Sequence, residues 1–295
     1  MSSTLSGTTI LMSGGSRGIG LAIALRAARD GANVVVLAKT DTPHPKLEGT
    51  VHTAVEQIEA AGGAGLAVVG DVRNDDDVAR AVEQTIERFG GIDVVVNNAS
   101  AIDTRPTAAI SMKQYDLMAD INVRGTFLLS KLSIEALSRS ANPHILTLSP
   151  PLNLTPYWAG KHLAYTLAKY GMSLTTLGLA EELAPRGIGV NSLWPCTLID
   201  TAAIRAMPGG EQLVRAARRP EIMADAAHAV LTRDAATTTG NFFTDEQVLA
   251  EAGVTDLRAY SVVAPSEGGE SVALLPDIFL SDGSDDDAGQ YRREA

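Results

Sequence analysis

The sequence predicts an α/β fold: one doubly wound domain on a seven-stranded parallel sheet, followed by a C-terminal extension. Three features carry that expectation. Short apolar, β-branched runs recur along the chain, as in strands buried on both faces. Stretches with helical spacing of apolar residues separate them, and right-handed crossovers would then place helices on both sides of the sheet. The first such run leads straight into the glycine cluster SGGSRGIG, 13–20.

TTILMS (8–13) and NVVVLAK (33–39) read as the first two strands, and IGLAIALRAARDG between them as a helix that stops at Gly31. That is a βαβ unit. TDTPHPKLEGT (40–50), with two prolines and a glycine, is a long loop of the kind that is often functional in a compact domain. The remaining strands are GLAVVGD (65–71), IDVVVNN (92–98), HILTLS (144–149), IGVNSLW (188–194) and NFFTD (241–245), with helices over 75–89, 111–139 and 161–184. No internal repeat or second domain interrupts this alternation. The expectation is one domain over 1–295: a core over about 7–245, an extension over about 246–281, and an acidic tail over 282–295 that frays. The apolar LLPDIFL (274–280) in the extension needs a cover.

A chain of 295 residues, 45% of them hydrophobic, can bury a sizeable core. Its net charge of −11 disfavours nucleic acid and anionic lipid surfaces as partners. A single cysteine, Cys196, excludes an intrachain disulfide and fits a reducing compartment. MSSTLSG lacks the basic and apolar regions of a secretion signal, and no run of 18 or more apolar residues follows. The expectation is a soluble, cytoplasmic protein. The five histidines show no metal-ligand spacing, so no metal is expected.

A phosphate reaches backbone N–H groups only where side chains leave room. Glycines at a strand-to-helix turn therefore make an anion site, strengthened by the helix N-terminus. Gly14, Gly18 and Gly20 supply such a turn. SGGSRGIG, DV (Asp71, Val72), NNAS (97–100), INVRG around Asn122 and YTLAK (165–169) together resemble the short-chain dehydrogenase/reductase family over about residues 7–245. HPKLEGT, SPPLNLTP, AKYGMS and LWPCTLIDTAA are similar to its hydroxysteroid dehydrogenase-like and bacterial citronellol or citronellal dehydrogenase branch. Some members of that branch carry a C-terminal sterol-carrier domain, which this length is not expected to hold.

The resemblance implies a Rossmann-type fold and a nicotinamide dinucleotide. Ser13, Gly14, Ser16, Arg17, Gly18, Ile19 and Gly20 would surround its phosphates, Asp71 and Val72 would contact adenine, and Asn98, Ala99 and Ser100 would line it. Pro195, Ile199 and Thr201 would hold the carboxamide. Members specific for NAD place an acid at the end of the second strand. Here Ala38 stands there with Lys39 beside it, and Arg17 lies in the glycine turn. These cations point to NADP, with Asp41 as a competing charge and solvated cations as the plain alternative.

Tyr165 and Lys169 are four residues apart and so share a helix face. A free tyrosine titrates near 10, and an adjacent ammonium and the positive nicotinamide would lower it into the working range of a general acid and base. By resemblance Ser149 would orient the substrate oxygen, although 16 residues rather than the family's commoner 13 separate it from Tyr165. Asn122 would kink its helix to free a carbonyl. Cys196, in a position where the family has glycine, reads as packing. Leu152, Leu154, Tyr157, Trp158, Ile204 and Met207 would form an apolar pocket for a small lipophilic alcohol, aldehyde or ketone, with a terpenoid or a hydroxyacyl thioester among the candidates; the alternative is core packing. A dinucleotide-binding redox sensor or scaffold is the other functional class. Apolar faces on the helices over 111–139 and 161–184 suggest a homo-oligomer, a dimer or tetramer, with LLPDIFL covered by a partner subunit.

Overall fold

The computed structural model describes residues 4–43, 48–263 and 272–280. The tail expected over 282–295, part of the loop over 40–50 and part of the extension lie outside the described residues.

Seven strands, β1 (Thr9–Ser13), β2 (Asn33–Ala38), β3 (Ala64–Val69), β4 (Val94–Asn97), β5 (His144–Thr147), β6 (Gly189–Trp194) and β7 (Phe242–Thr244), form one sheet in the order β3-β2-β1-β4-β5-β6-β7. Every pairing is parallel. Successive strand residues point to opposite faces, and each face builds its own core. Ile10, Met12, Val34 and Val36 belong to one apolar cluster, and Leu11, Val35, Leu37 and Val95 to the other. This two-sided burial is why the strands read as continuous apolar runs.

The helices are α1 (Gly18–Ala28), α2 (Val51–Ala60), α3 (Asp75–Phe89), α4 (Met112–Met118), α5 (Gly125–Leu137), α6 (Pro156–Lys161), α7 (Leu163–Leu183), α8 (Ala202–Arg205), α9 (Gly210–Arg215), α10 (Glu221–Leu231) and α11 (Asp245–Glu251). Residues of α1, α2, α10 and α11 fill the first cluster, and residues of α3, α5 and α7 the second. The chain order reverses beside β1, which lies between β2 and β4. Ligands of doubly wound sheets bind at that switch point, outside the carboxyl ends of the strands.

Both long helices expected from periodicity are interrupted. The one over 111–139 contains a π-helical stretch, Ala119–Arg124, between α4 and α5. The buried Asn122 sits inside it and turns its amide toward Ala101: Ala101 N donates to Oδ1 at 2.7 Å, and Nδ2 donates to Ala101 O at 3.0 Å. Such π segments concentrate at functional sites. The helix expected over 161–184 starts at Leu163, because His162 leaves helical geometry (φ −141°, ψ 54°). Its Nδ1 lies 2.7 Å from Thr104 O.

The described end of the extension lies across the carboxyl end of the sheet. Leu198 N donates to Leu275 O at 2.9 Å, Asp277 N to Cys196 O at 3.0 Å, and Trp194 Nε1 to Ile278 O at 3.0 Å. Phe279 is 1% exposed and packs among Tyr165, Trp158, Tyr170 and Trp194 of the same chain. The cover expected from a partner subunit is therefore supplied to Phe279 by this chain itself.

Candidate active site

The glycine turn joins β1 to α1. Gly14 has φ +74°, and a Cβ there would lie 2.8 Å from Ala99 Cα; one at Gly20 would lie 2.5 Å from Asn98 Nδ2. Side chains are excluded because the end of β4 presses on the turn. Asn98 Nδ2 donates to Gly14 O at 2.7 Å, and Ser13 Oγ accepts from Asn98 N and Ala99 N at 3.2 Å each. The N-terminus of α1 then opens on a cleft of about 420 Å³. Gly14, Ser16, Arg17, Gly18, Ile19, Ala38, Lys39, Asp71, Val72, Ala99 and Ser100 line it, while Ser13 and Gly20 support the turn from behind.

A dinucleotide fits the donors present. No side chain caps the N-terminus of α1, and Arg17 Nε is buried there without a hydrogen-bond partner. Arg17 Nη2 donates to Gly49 O at 2.7 Å, which fixes the guanidinium at the cleft. Lys39 Nζ lies 3.7 Å from Asp71 Oδ2, and Arg73 grips the same carboxylate at 2.6 Å. The Arg73 hydrogen bond holds Asp71 below the usual carboxylate range. Asp41, the competing charge, lies 2.7 Å from His52 Nε2.

A second cavity, of about 390 Å³, adjoins the first and shares Ile19, Asn98, Ser100, Thr201 and Ala203 with it. Tyr165 and Lys169 line it from α7, and Pro195, Ile199 and Thr201 from the segment after β6. Both catalytic candidates are buried, Tyr165 4% and Lys169 3% exposed. Lys169 Nζ donates to Leu148 O at 2.8 Å and stands 5.1 Å from the Trp194 ring centre. Burial pulls its ammonium down to about 7, against the pull of the Asp277 carboxylate. Burial, followed by the Asp277 charge, pushes the Tyr165 hydroxyl up, and a hydrogen bond with Ser100 draws it partly back. The protein surroundings by themselves therefore hold Tyr165 as a neutral phenol, and the lowering expected from sequence rests on the nicotinamide charge.

Ser149 is not turned toward this cavity. Its fully buried hydroxyl lies 2.8 Å from Ser192 Oγ, which donates to Thr176 Oγ1 at 2.9 Å. Of the six expected pocket residues, Ile204 and Met207 line the cavity. Leu152, Leu154, Tyr157 and Trp158 do not: Leu154 is 79% exposed, and Trp158 is buried in the aromatic cluster around Phe279. Ile102, His162, Trp194 and Leu198 take their place, together with Asp277 and Ile278 from the extension. The signal for these last two was an acid inside an apolar run that needed cover. Burial pushes the Cys196 thiol up to about 12, which suits packing and not nucleophilic chemistry. Among the described residues no group of three or more His, Cys, Asp or Glu side chains is placed to hold a metal ion.

A family model described as enoyl-(acyl carrier protein) reductase matches residues 14–246. Hydroxysteroid dehydrogenase-like protein 2 of Danio rerio is 54% identical over 284 residues, 96% of this chain and 66% of that protein. Its counterpart in Homo sapiens is 49% identical over 94% of this chain and 64% of its own length. The chain belongs to the short-chain dehydrogenase/reductase family. It spans less than two thirds of the length of these curated relatives. A crystal structure described as a dehydrogenase from Xanthomonas campestris is 55% identical, with a TM-score of 0.90 over 95% of this chain and 100% of that one. A short-chain dehydrogenase from Mycobacterium thermoresistibile is 50% identical, with a TM-score of 0.87 over 94% and 96%. Membership of the short-chain dehydrogenase/reductase family implies a nicotinamide dinucleotide as cofactor.

Proposed function

We propose that this chain is an NADP(H)-dependent oxidoreductase acting on a neutral, lipophilic alcohol or carbonyl compound, with Tyr165 as general acid and base. The observation that carries this reading is the pair Tyr165 and Lys169, buried one helical turn apart in a largely apolar cavity continuous with the glycine-turn cleft. Gly14, Gly18 and the first turn of α1 would hold the pyrophosphate, Arg17 and Lys39 the 2′-phosphate, and Ile199 and Thr201 the carboxamide. When bound, the nicotinamide supplies or accepts the hydride at the substrate carbon. In reduction, Tyr165 O–H gives its proton to the carbonyl oxygen as the alcohol forms; in oxidation, its phenolate takes that proton back.

A phenol kept neutral by its surroundings is in the protonation state that reduction needs, and oxidation needs it to ionise first. The size of the cavity and the predominance of Ile102, Trp194, Leu198, Ile204, Met207 and Ile278 on its wall suit a compact terpenoid-like or steroid-like molecule. The names of the hydroxysteroid dehydrogenase-like relatives agree with that class. Phe127 on α5 and Leu167, Leu174 and Leu177 on α7 are exposed, and we assign these faces to a homo-oligomer contact. No helix among the described residues is long and apolar enough to cross a membrane.

A panel of lipophilic ketones and aldehydes with NADPH tests the activity, with Tyr165→Phe as the decisive variant. Turnover should fall by about 10²–10⁴ while cofactor affinity stays close to that of the parent. Full turnover by Tyr165→Phe on a good substrate would remove the catalytic assignment in favour of another acid. No turnover by the parent on any substrate, with the dinucleotide still bound, would favour a sensor or scaffold.

A further inference from the structure

Two ionisable side chains that carry opposite charge when ionised line the second cavity, and only one of them belongs to the expected machinery. Among the described residues lining it, Lys169 is the one cationic amine and Asp277 the one acid; His162 and Tyr165 are the other titratable groups. Asp277 comes from the C-terminal segment over 272–280, far from Lys169 in sequence. Its position is fixed on both sides. Its own N–H is held by Cys196 O, the preceding Pro276 bridges to Thr197, and the following Ile278 offers its carbonyl to Trp194 Nε1 at 3.0 Å. Phe279 then anchors the segment under Tyr165.

We propose that Asp277 is the counter-charge of Lys169, a carboxylate carried into the active site by the C-terminal segment to keep that buried amine an ammonium. This rests on Tyr165 and Lys169 being the catalytic pair. Lys169 needs such a partner. Among the described residues it makes no direct ion pair; its Nζ meets the Leu148 carbonyl, the Met172 sulfur at 3.6 Å and the face of Trp194. A desolvated ammonium with neutral partners sheds its proton readily. The Asp277 carboxyl spends Oδ1 on Ile278 N at 2.7 Å and makes no further hydrogen bond among the described residues, so its remaining charge is available to the cavity.

The other titratable groups do not substitute for it. On α7 itself the neighbour is Tyr165. Behind Asp277, at the start of α11, the fully buried Asp245 accepts from Cys196 N at 2.8 Å and from Glu246 N at 2.8 Å; its charge faces Cys196 and Asp277. The Arg218 guanidinium is paired with Glu246. The π segment presents Asn122, committed to Ala101, while Leu148 just past β5 and Trp194 at the end of β6 present a carbonyl and an indole. Burial pushes Asp277 up to about 7, with the Asp245 charge adding to it, against the Ile278 N–H bond and the attraction of Lys169; the reverse attraction acts on Lys169, so the carboxylate and the ammonium each support the other's charged form. Asp277 is thus a positioning residue that works through Lys169. It also cancels the ammonium, which leaves the cavity suited to a neutral substrate.

The test is a pH titration of the whole protein labelled with ¹³C at lysine Cε, the Lys169 signal being assigned by its loss in Lys169→Met. Asp277→Asn preserves the acceptor for Ile278 N and removes the charge. It should lower the Lys169 midpoint by about one pH unit or more, with Asp277→Glu returning it toward the parent value. An unchanged midpoint in folded Asp277→Asn would overturn the proposal. If Asp277→Asn does not fold, the reciprocal measurement decides: the ¹³C-labelled Asp277 carboxyl should titrate at higher pH in Lys169→Met than in the parent, and no movement would overturn the proposal. Neither titration uses substrate or cofactor, so loss of the oxidoreductase reading through Tyr165→Phe is a separate result.

Discussion

The ring of Phe279 stacks on the ring of Tyr165, with centroids 6.0 Å apart and planes 29° apart. Phe279 holds φ at +73°, a left-handed conformation that is uncommon for an aromatic residue. Such a backbone persists only where packing over-determines it, and here the fully buried ring touches four aromatic neighbours. Phe279→Ala is therefore expected to destabilise the protein by about 3–5 kcal/mol, the range for emptying a buried aromatic site. It should also lower turnover by loosening Tyr165. Chemical denaturation and steady-state kinetics on the same variant check both. An unchanged denaturation midpoint would mean that the C-terminal segment is not seated on the site.

Ser149 and Ser100 should exchange the importance that sequence assigns them. The Ser149 hydroxyl is held by Ser192 inside the protein, so Ser149→Ala should cost about 1 kcal/mol of stability and less than tenfold in turnover. Ser100 lines both cavities beside Tyr165, and its hydroxyl draws the Tyr165 hydroxyl down. That influence favours the phenolate, so removing it raises the Tyr165 midpoint. In the oxidation direction, where the phenolate is the base, the rising limb of the pH–rate profile should move to higher pH in Ser100→Ala. A profile identical to that of the parent would disconnect Ser100 from the tyrosine.

The sheet was legible because each strand buries both faces and therefore reads as an unbroken apolar run, as in VVVLA of β2 and VVVN of β4. The glycine turn and the Tyr165–Lys169 spacing were legible because each depends on local geometry. Ser149 was assigned a cavity-facing hydroxyl because nothing in the local sequence shows that Ser192, on the neighbouring strand β6, captures it two residues past the end of β5. Periodicity also ran through the breaks at Asn122 and His162, since both bends are set by contacts with Ala101 and Thr104 on a distant loop. Asp277 stood out only as an acid in an apolar run that needed cover; its place beside Lys169 was not legible, because it depends on where a segment more than a hundred residues away comes to rest.

The apolar stripe of Leu167, Leu174 and Leu177 on α7, beside Phe127 on α5, has a direct consequence for assembly. Leu174 is 57% exposed, so replacing it with glutamate leaves the fold of the single chain intact. Leu174→Glu should convert the expected oligomer to a smaller species in light scattering, while the far-ultraviolet spectrum stays that of the parent. A monomeric mass for the parent protein at micromolar concentration would refute the oligomer.

The proposed preference for NADP(H) rests on Arg17 and Lys39, which stand at the same cleft in different settings. Arg17 is fixed by Gly49 O and keeps a buried, unpartnered Nε, whereas the Lys39 side chain is 56% exposed and leans toward Asp71. A charge-assisted hydrogen bond to a phosphate is worth roughly 1.5–3 kcal/mol, about ten- to a hundredfold in affinity. Solvent screening places Lys39 at the low end of that range and the more enclosed Arg17 at the high end. NADP(H) should thus bind more tightly than NAD(H), Arg17→Ala should cost NADP(H) more than Lys39→Ala, and neither should cost NAD(H) much. Lys39→Asp should reverse the preference, because the new carboxylate repels the 2′-phosphate and can accept from ribose hydroxyls. Calorimetric titration of each variant with both cofactors reads these differences, and raising the salt concentration should narrow the Lys39 effect first. Equal affinities in the parent would mean that both cations are simply solvated and take no part in the choice.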